Sequence, residues 1–172
     1  DHALTLTTTQ AGAPVNIDAF VVLGDATTAT LIGAGDIAVC GEDRLDDEAT
    51  AQLVQDQLAA DPSTIVFTTG DNVYPRGEME FFLACYEPSW GAFKSSTRPT
   101  PGNHHYWNEQ AAAEYYSYFG ATGGPPGKGW YRFDAGTWRV YSLNTQCDWR
   151  TTCKDQLAWL EARPLHGRTV AV

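Results

Sequence analysis

Five side chains stand where a protein of this size could do metal chemistry: Asp36, Asp71, Tyr74, Asn103 and His104. Asp36, Asp71 and Asn103 each follow a glycine. Thirty-five residues separate the first two and thirty-two the last two. Two carboxylates, an amide oxygen, a phenol and an imidazole in one pocket make a hard, oxygen-rich donor set for metal ions. Only an anionic side chain with two oxygens readily bridges two cations, and Asp71, in the middle motif, is the candidate for that role. An imidazole at His104 suits general-acid work near neutral pH. A lone Gly-Asp is usually a turn; three such ends in order, with Asn-His closing the third, are a specific pattern.

These residues need strands to deliver them. Ser63-Thr64-Ile65-Val66-Phe67-Thr68-Thr69-Gly70-Asp71 reads as a buried β-branched and aromatic strand ending in a sharp turn. Thr30-Leu31-Ile32-Gly33-Ala34-Gly35-Asp36 reads the same way. Between them, Asp46-Asp47-Glu48 opens a helix over 49–60, with acidic residues at the positive end of its dipole and a stripe of Leu53, Val54, Gln57 and Leu58. Strand, helix and strand with short joints make a βαβ unit, so the two strands are expected to be parallel. Residues 97–103 form a third approach, kept extended by prolines. The carboxyl ends of such strands are where α/β proteins place their sites. Further helices are expected over 78–86, 109–119 and 155–162, antiparallel strands over 130–134 and 137–143 with a turn at Ala135-Gly136, and a last strand from 168. Trp90 and Phe93 are expected beneath the 78–86 helix. Gly120 to Gly129 reads as a loop at the rim.

Residues 1–23 alternate apolar and polar, the half-buried strand pattern. They resemble the closing strands of a β-sandwich carbohydrate-binding module, which would bring carbohydrate in through an upstream domain; an N-terminal hairpin on the main domain is the alternative. The domain division is therefore 1–25 and 26–172.

The 172 residues suffice for one domain with a core, and the net charge of −10 with 11 Lys and Arg disfavours a nucleic-acid-binding module. No stretch reaches the roughly 20 apolar residues that cross a bilayer. The four cysteines, Cys40, Cys85, Cys147 and Cys153, contain no C-x-x-C pair. They fit two disulfides, Cys147 with Cys153 stapling one loop and Cys40 with Cys85 tying two loops that follow site-bearing strands; four free thiols are the alternative. Disulfides imply an oxidising, extracytoplasmic compartment, and the chain is read as secreted. The start at Asp1, without a basic and apolar leader, reads as a mature or excised terminus.

Gly35-Asp36, Gly70-Asp71-Asn72-Val73-Tyr74 and Gly102-Asn103-His104 resemble the first three motifs of the calcineurin-like metallophosphoesterases, on the purple-acid-phosphatase-like branch. The resemblance covers about residues 30–172. It implies a four-layer αββα sandwich of α/β class and a dinuclear centre of iron with zinc, manganese or iron. Asp36 and Tyr74 would bind the first metal, Asp71 both and Asn103 the second. His104 would contact the phosphate or protonate the leaving group. Two cations about 3.5–4 Å apart clamp an in-line displacement and activate a bound water. The implied activity is hydrolysis of a small phosphoric monoester by metal-bound hydroxide. A phosphodiesterase, or a non-catalytic binding protein on a degenerate scaffold, is the alternative.

The sequence departs from the family pattern in three places. Ala38 stands where many relatives have histidine, as the tyrosine-bearing branch implies, with Tyr74 the replacement ligand. His105 replaces the acidic residue after Asn-His and is read as supporting the ligands from behind. Two later histidine-bearing motifs are absent: His2 and His166 fit neither, so the chain is expected to be the first part of a longer domain. Asn144 could face the pocket, with capping the expected role, and Tyr106 and Trp107 are assigned to core or rim rather than to stacking on substrate.

Overall fold

The computed structural model describes residues 29–41, 47–107, 112–147 and 152–163, and the backbone of 169–171. The expected β structure in 1–23, the 1–25 domain boundary and His166 lie outside the described residues. Strands β1 (Leu31–Ala34), β3 (Ile65–Thr68) and β5 (Thr97–Arg98) form one parallel sheet in the order β1-β3-β5. Its register aligns Ala34 with Thr68 and Phe67 with Arg98, so the Gly35-Asp36, Gly70-Asp71 and Gly102-Asn103 ends all leave the same edge.

The short β2 (Ala38–Val39) and β4 (Val73–Tyr74) pair in parallel just beyond that edge and were not expected from sequence. The signal was short: two residues of each strand form the pair. Backbone bonds from Ile37 to Asp71 (3.1 Å) and from Ala38 to Asn72 (3.1 Å) carry the pairing back to the first sheet. The second sheet runs β6 (Tyr131–Ala135), β7 (Trp138–Ser142), β8 (Thr169–Ala171), with β7 antiparallel to β6 and parallel to β8. Ala135 pairs with Trp138, so Gly136-Thr137 makes the two-residue turn, one residue later than expected; Gly136 supplies a φ of 59°.

The alternation along the strands assigns their two faces. Val66 and Ile32 look toward α1 (Asp47–Ala60) and the aromatic core, whereas Leu31 and Ile65 pack on Ala135, Val140, Phe133 and Trp138 of the second sheet. In α1 the buried stripe is Ala51, Val54 and, partly, Leu58; Leu53 is exposed, contrary to the sequence reading. Spacings of three and four place the former on one face and turn Leu53 away. Trp90 and Phe93 are buried as expected, and the Trp90 indole donates to Thr50 Oγ1 of α1 at 3.1 Å. The expected helix over 78–86 is α2 (Met79–Phe81) continued by a π-helical turn, Phe82–Tyr86. Helix α3 (Ala113–Phe119) begins after Ala112, which holds a left-handed φ of 61°. Helix α4 (Thr152–Glu161) starts three residues earlier than expected, and its Trp159 meets Tyr141 edge-on at 5.7 Å.

Both disulfides join the expected partners, Cys40 to Cys85 and Cys147 to Cys153. The first encloses Asp71 and Tyr74, and the Cys40 amide donates to the Tyr74 carbonyl at 3.4 Å. Cross-linking cysteines 45 residues apart restricts the unfolded chain by about 4 kcal/mol in the loop-entropy account. A Cys40→Ala/Cys85→Ala variant is expected to lose about that much unfolding free energy in a denaturant titration.

Candidate metal-binding and phosphoester site

Asp71 sits at the end of β3, nearly buried, in a left-handed conformation with a φ of 41°; Asp36, at the end of β1, has a φ of 53° and is exposed. Left-handed backbone is uncommon for a side chain other than glycine, although aspartate tolerates it better than most. Two such residues at adjacent strand ends mark backbone held by its surroundings rather than by preference.

The surroundings of Asp71 are specific. Its Oδ1 accepts the backbone N–H of His104 at 2.9 Å, and its Oδ2 accepts the Tyr74 hydroxyl at 3.3 Å. The same hydroxyl is in close contact with Asp36 Oδ1. The phenol thus stands between two carboxylates. Gly102 lies directly over Asp71: a Cβ there would come within 2.1 Å of Asp71 Oδ1 and 2.3 Å of its backbone nitrogen. Gly70, at a φ of 112°, brings its own backbone to Gly102, a Cβ on Gly70 meeting Gly102 Cα at 3.0 Å. These glycines let two strand ends touch around one carboxylate.

Electrostatics here favour a cation. Burial raises the Asp71 carboxyl above its ordinary value, opposed by the His104 N–H and charge and reinforced by the Asp36 charge. Burial, followed by the hydrogen bond to Asp36, pushes the Tyr74 phenol well above its ordinary range. The phenol therefore stays protonated between the two carboxyl groups. A metal ion would offset the carboxylate repulsion and favour the phenolate. The donor set therefore fits part of a metal site. Among the described residues no three His, Cys, Asp or Glu side chains gather as a group, so two carboxylates, the phenol and the neighbouring Asn103 amide make up what this region offers. Asn103 is exposed, first in the 3₁₀ turn Asn103–Tyr106, next to Gly102.

His104 is fixed from two sides. Its carbonyl accepts the Gly77 N–H at 3.1 Å, and its Nδ1 lies 2.7 Å from the Pro75 carbonyl. A carbonyl only accepts, so Nδ1 carries a proton and Nε2 is the ring atom available to a substrate. The ring meets Tyr74 edge-on at 4.4 Å and Trp107 at 3.9 Å. His105, by contrast, is a buried strut: it lies against Phe82 at 5.7 Å and Tyr115 at 5.3 Å, and its Nδ1 accepts the Gly102 N–H at 3.1 Å. It holds the turn that carries Asn103 and His104.

Two asparagines do more here than the sequence reading assigned to them. Asn72 is fully buried and its amide donates to the Thr100 carbonyl at 3.0 Å, tying the Asp71 loop to the third approach. Asn144 is buried too. Its Nδ2 donates to the Tyr106 hydroxyl and the Lys128 carbonyl, both at 2.9 Å, and its Oδ1 accepts the Gln146 N–H at 3.0 Å. It joins the 103–106 turn to the Gly-rich rim, a cross-link rather than a helix cap. The only sequence signal for either was an asparagine at the end of an apolar strand. Tyr106 is half-buried, and Trp107 is exposed.

Burial holds the His105 imidazole down to about 4, and its Nε2 has no hydrogen-bond partner. The unfolded chain, with an ordinary value of about 6.5, binds the proton first. Stability from this group is therefore full above about pH 6.5 and falls by roughly 3 kcal/mol as pH drops toward 4. Denaturant unfolding across that window is expected to show this limb in the native protein and a shallower one in His105→Gln; an equal slope in both contradicts the assignment. No family model, curated protein or solved structure matches the chain.

Proposed function

We propose that this protein is a metal-dependent hydrolase of phosphoric esters, most simply a phosphomonoesterase. The observation that supports it best is the convergence of Asp36, Asp71 and Tyr74, with the His104 N–H bonded to Asp71. The order of contacts, α1 on the first sheet, first sheet on second, and α4 Trp159 on the second, agrees with a four-layer αββα sandwich. Two disulfides agree with an oxidising compartment and hence with secretion.

In this reading Asp36 and Tyr74 would hold a first ion and Asn103 a second, with Asp71 serving both, and the pair would be iron with zinc, manganese or iron. When bound, such a pair supplies Lewis acidity toward phosphoryl oxygens and an activated water. The chain's own residues do the rest. The Gly70–Gly102 contact and the His104 N–H orient the Asp71 carboxylate. The Pro75 carbonyl keeps the proton on Nδ1 of His104, so that a protonated Nε2 can pass its proton to the departing alkoxide and leave a neutral ring. The substrate is a small phosphate ester.

The protein, assayed against monoesters and diesters, is expected to favour monoesters. Removing a residue that only supports a metal ligand commonly costs 10–100-fold, so Asp71→Asn, which alters a shared ligand, is expected to lose about a hundredfold or more. Hydrolysis undiminished in Asp71→Asn, or absent from the metal-loaded native protein, would overturn the proposal.

A further inference from the structure

Among the described residues Trp107 is the one large aromatic side chain left exposed. It is 61% exposed, whereas Trp90 and Trp130 are 1% and 3% exposed. Leaving an indole in water forgoes one of the largest gains from burial that a side chain can make. Here it is left in water beside the one imidazole of the site. The His104 and Trp107 centroids are 3.9 Å apart, with the rings tilted by 35°. His104 also meets Tyr74, whose hydroxyl reaches Asp36 and Asp71. Phenol, imidazole and indole thus form a row of successive contacts that begins at the two carboxylates and ends at an exposed indole.

The row has a direction relative to a bound ester. Its inner end is where a phosphoryl group would sit if Asp36, Asp71 and Tyr74 hold cations. Its middle is the ring whose Nε2 would face the ester oxygen. Whatever is attached to that oxygen then extends toward the outer end, where the exposed indole offers a flat apolar surface. His104 is pinned by the Pro75 carbonyl and the Gly77 amide, so the indole rests on a fixed neighbour. A rigid exposed aromatic stacks flat rings of many kinds, because every heteroaromatic base has a π-face.

We propose that Trp107 is the leaving-group subsite of this centre, and that it selects phosphoric esters whose alcohol carries a flat aromatic or heteroaromatic ring, such as a nucleoside. The inference rests on the phosphoester reading above for the ester, but not for the ring: stacking on Trp107 needs no hydrolysis.

Adenosine 5′-monophosphate and glycerol 3-phosphate both release a primary alkoxide, so their chemistry is matched and the ring is the difference. With the complete holoenzyme, Trp107→Ala is expected to lower the ratio of kcat/KM for the nucleotide to that for glycerol phosphate by about tenfold or more, and Trp107→Phe to restore most of it. Calorimetry with adenosine alone is expected to show binding to the native protein and to Trp107→Phe, weakened about tenfold or more in Trp107→Ala. An unchanged ratio together with unchanged adenosine binding overturns the subsite, as does an equal loss for both esters, which would make Trp107 a prop for His104. Adenosine binding that depends on Trp107, with neither ester hydrolysed, supports the ring subsite and counts against the phosphoester reading. If adenosine does not bind and neither ester is hydrolysed, both fail.

Discussion

The site depends on how closely two backbones can approach one carboxylate. Asp71 accepts the His104 N–H, and Gly102 lies so near that any side chain there would collide with the Asp71 carboxylate. That contact fixes the distance between the strand ends at β3 and β5. Once it is fixed, the 3₁₀ turn must begin at Asn103, His104 must reach back under the Pro75–Gly77 segment, and His105 must point into the core. The paired β2 and β4 perform the matching task on the other side, holding Asp36 and Tyr74 against each other through bonds that start at Asp36 and end at Cys40. Packing built from ordinary apolar alternation thus ends in a cluster where like charges are held together, a cost that a bound cation would offset.

Much of this was legible because it depends on local pattern. The β-branched run at Ile65–Thr68 and the acidic opening of α1 have the composition of their elements, and the βαβ order forces parallel pairing. The glycine before each candidate ligand was readable as a turn signal. Its physical role was not: Gly102 is small because Asp71 is beside it, a contact between residues thirty-one apart. The disulfide partners were readable from which loops the strands would bring together.

The remainder required tertiary structure. Nothing in the composition of Ala38–Val39 and Val73–Tyr74 distinguishes a two-residue ladder from coil. Leu53 looked like part of the buried stripe because helix phase over a few residues is ambiguous; the packing of Ala51 and Val54 settled it. Asn144 read as a cap and Asn72 had no role of its own, since a buried amide that links distant loops has no local signature. Trp107 read as core or rim, and only the fold reveals it lying exposed against His104.

The central claim is that Asp71 is shared between two metal ions. Anomalous diffraction from crystals of the complete protein, collected at the absorption edges of iron, zinc and manganese, tests it most directly. The account predicts two peaks about 3.5–4 Å apart, one against Asp36 and Tyr74, the other against Asn103, with Asp71 touching both. A metal-loaded protein with no peak at Asp71, or with a single ion that Asp71 does not touch, would contradict it.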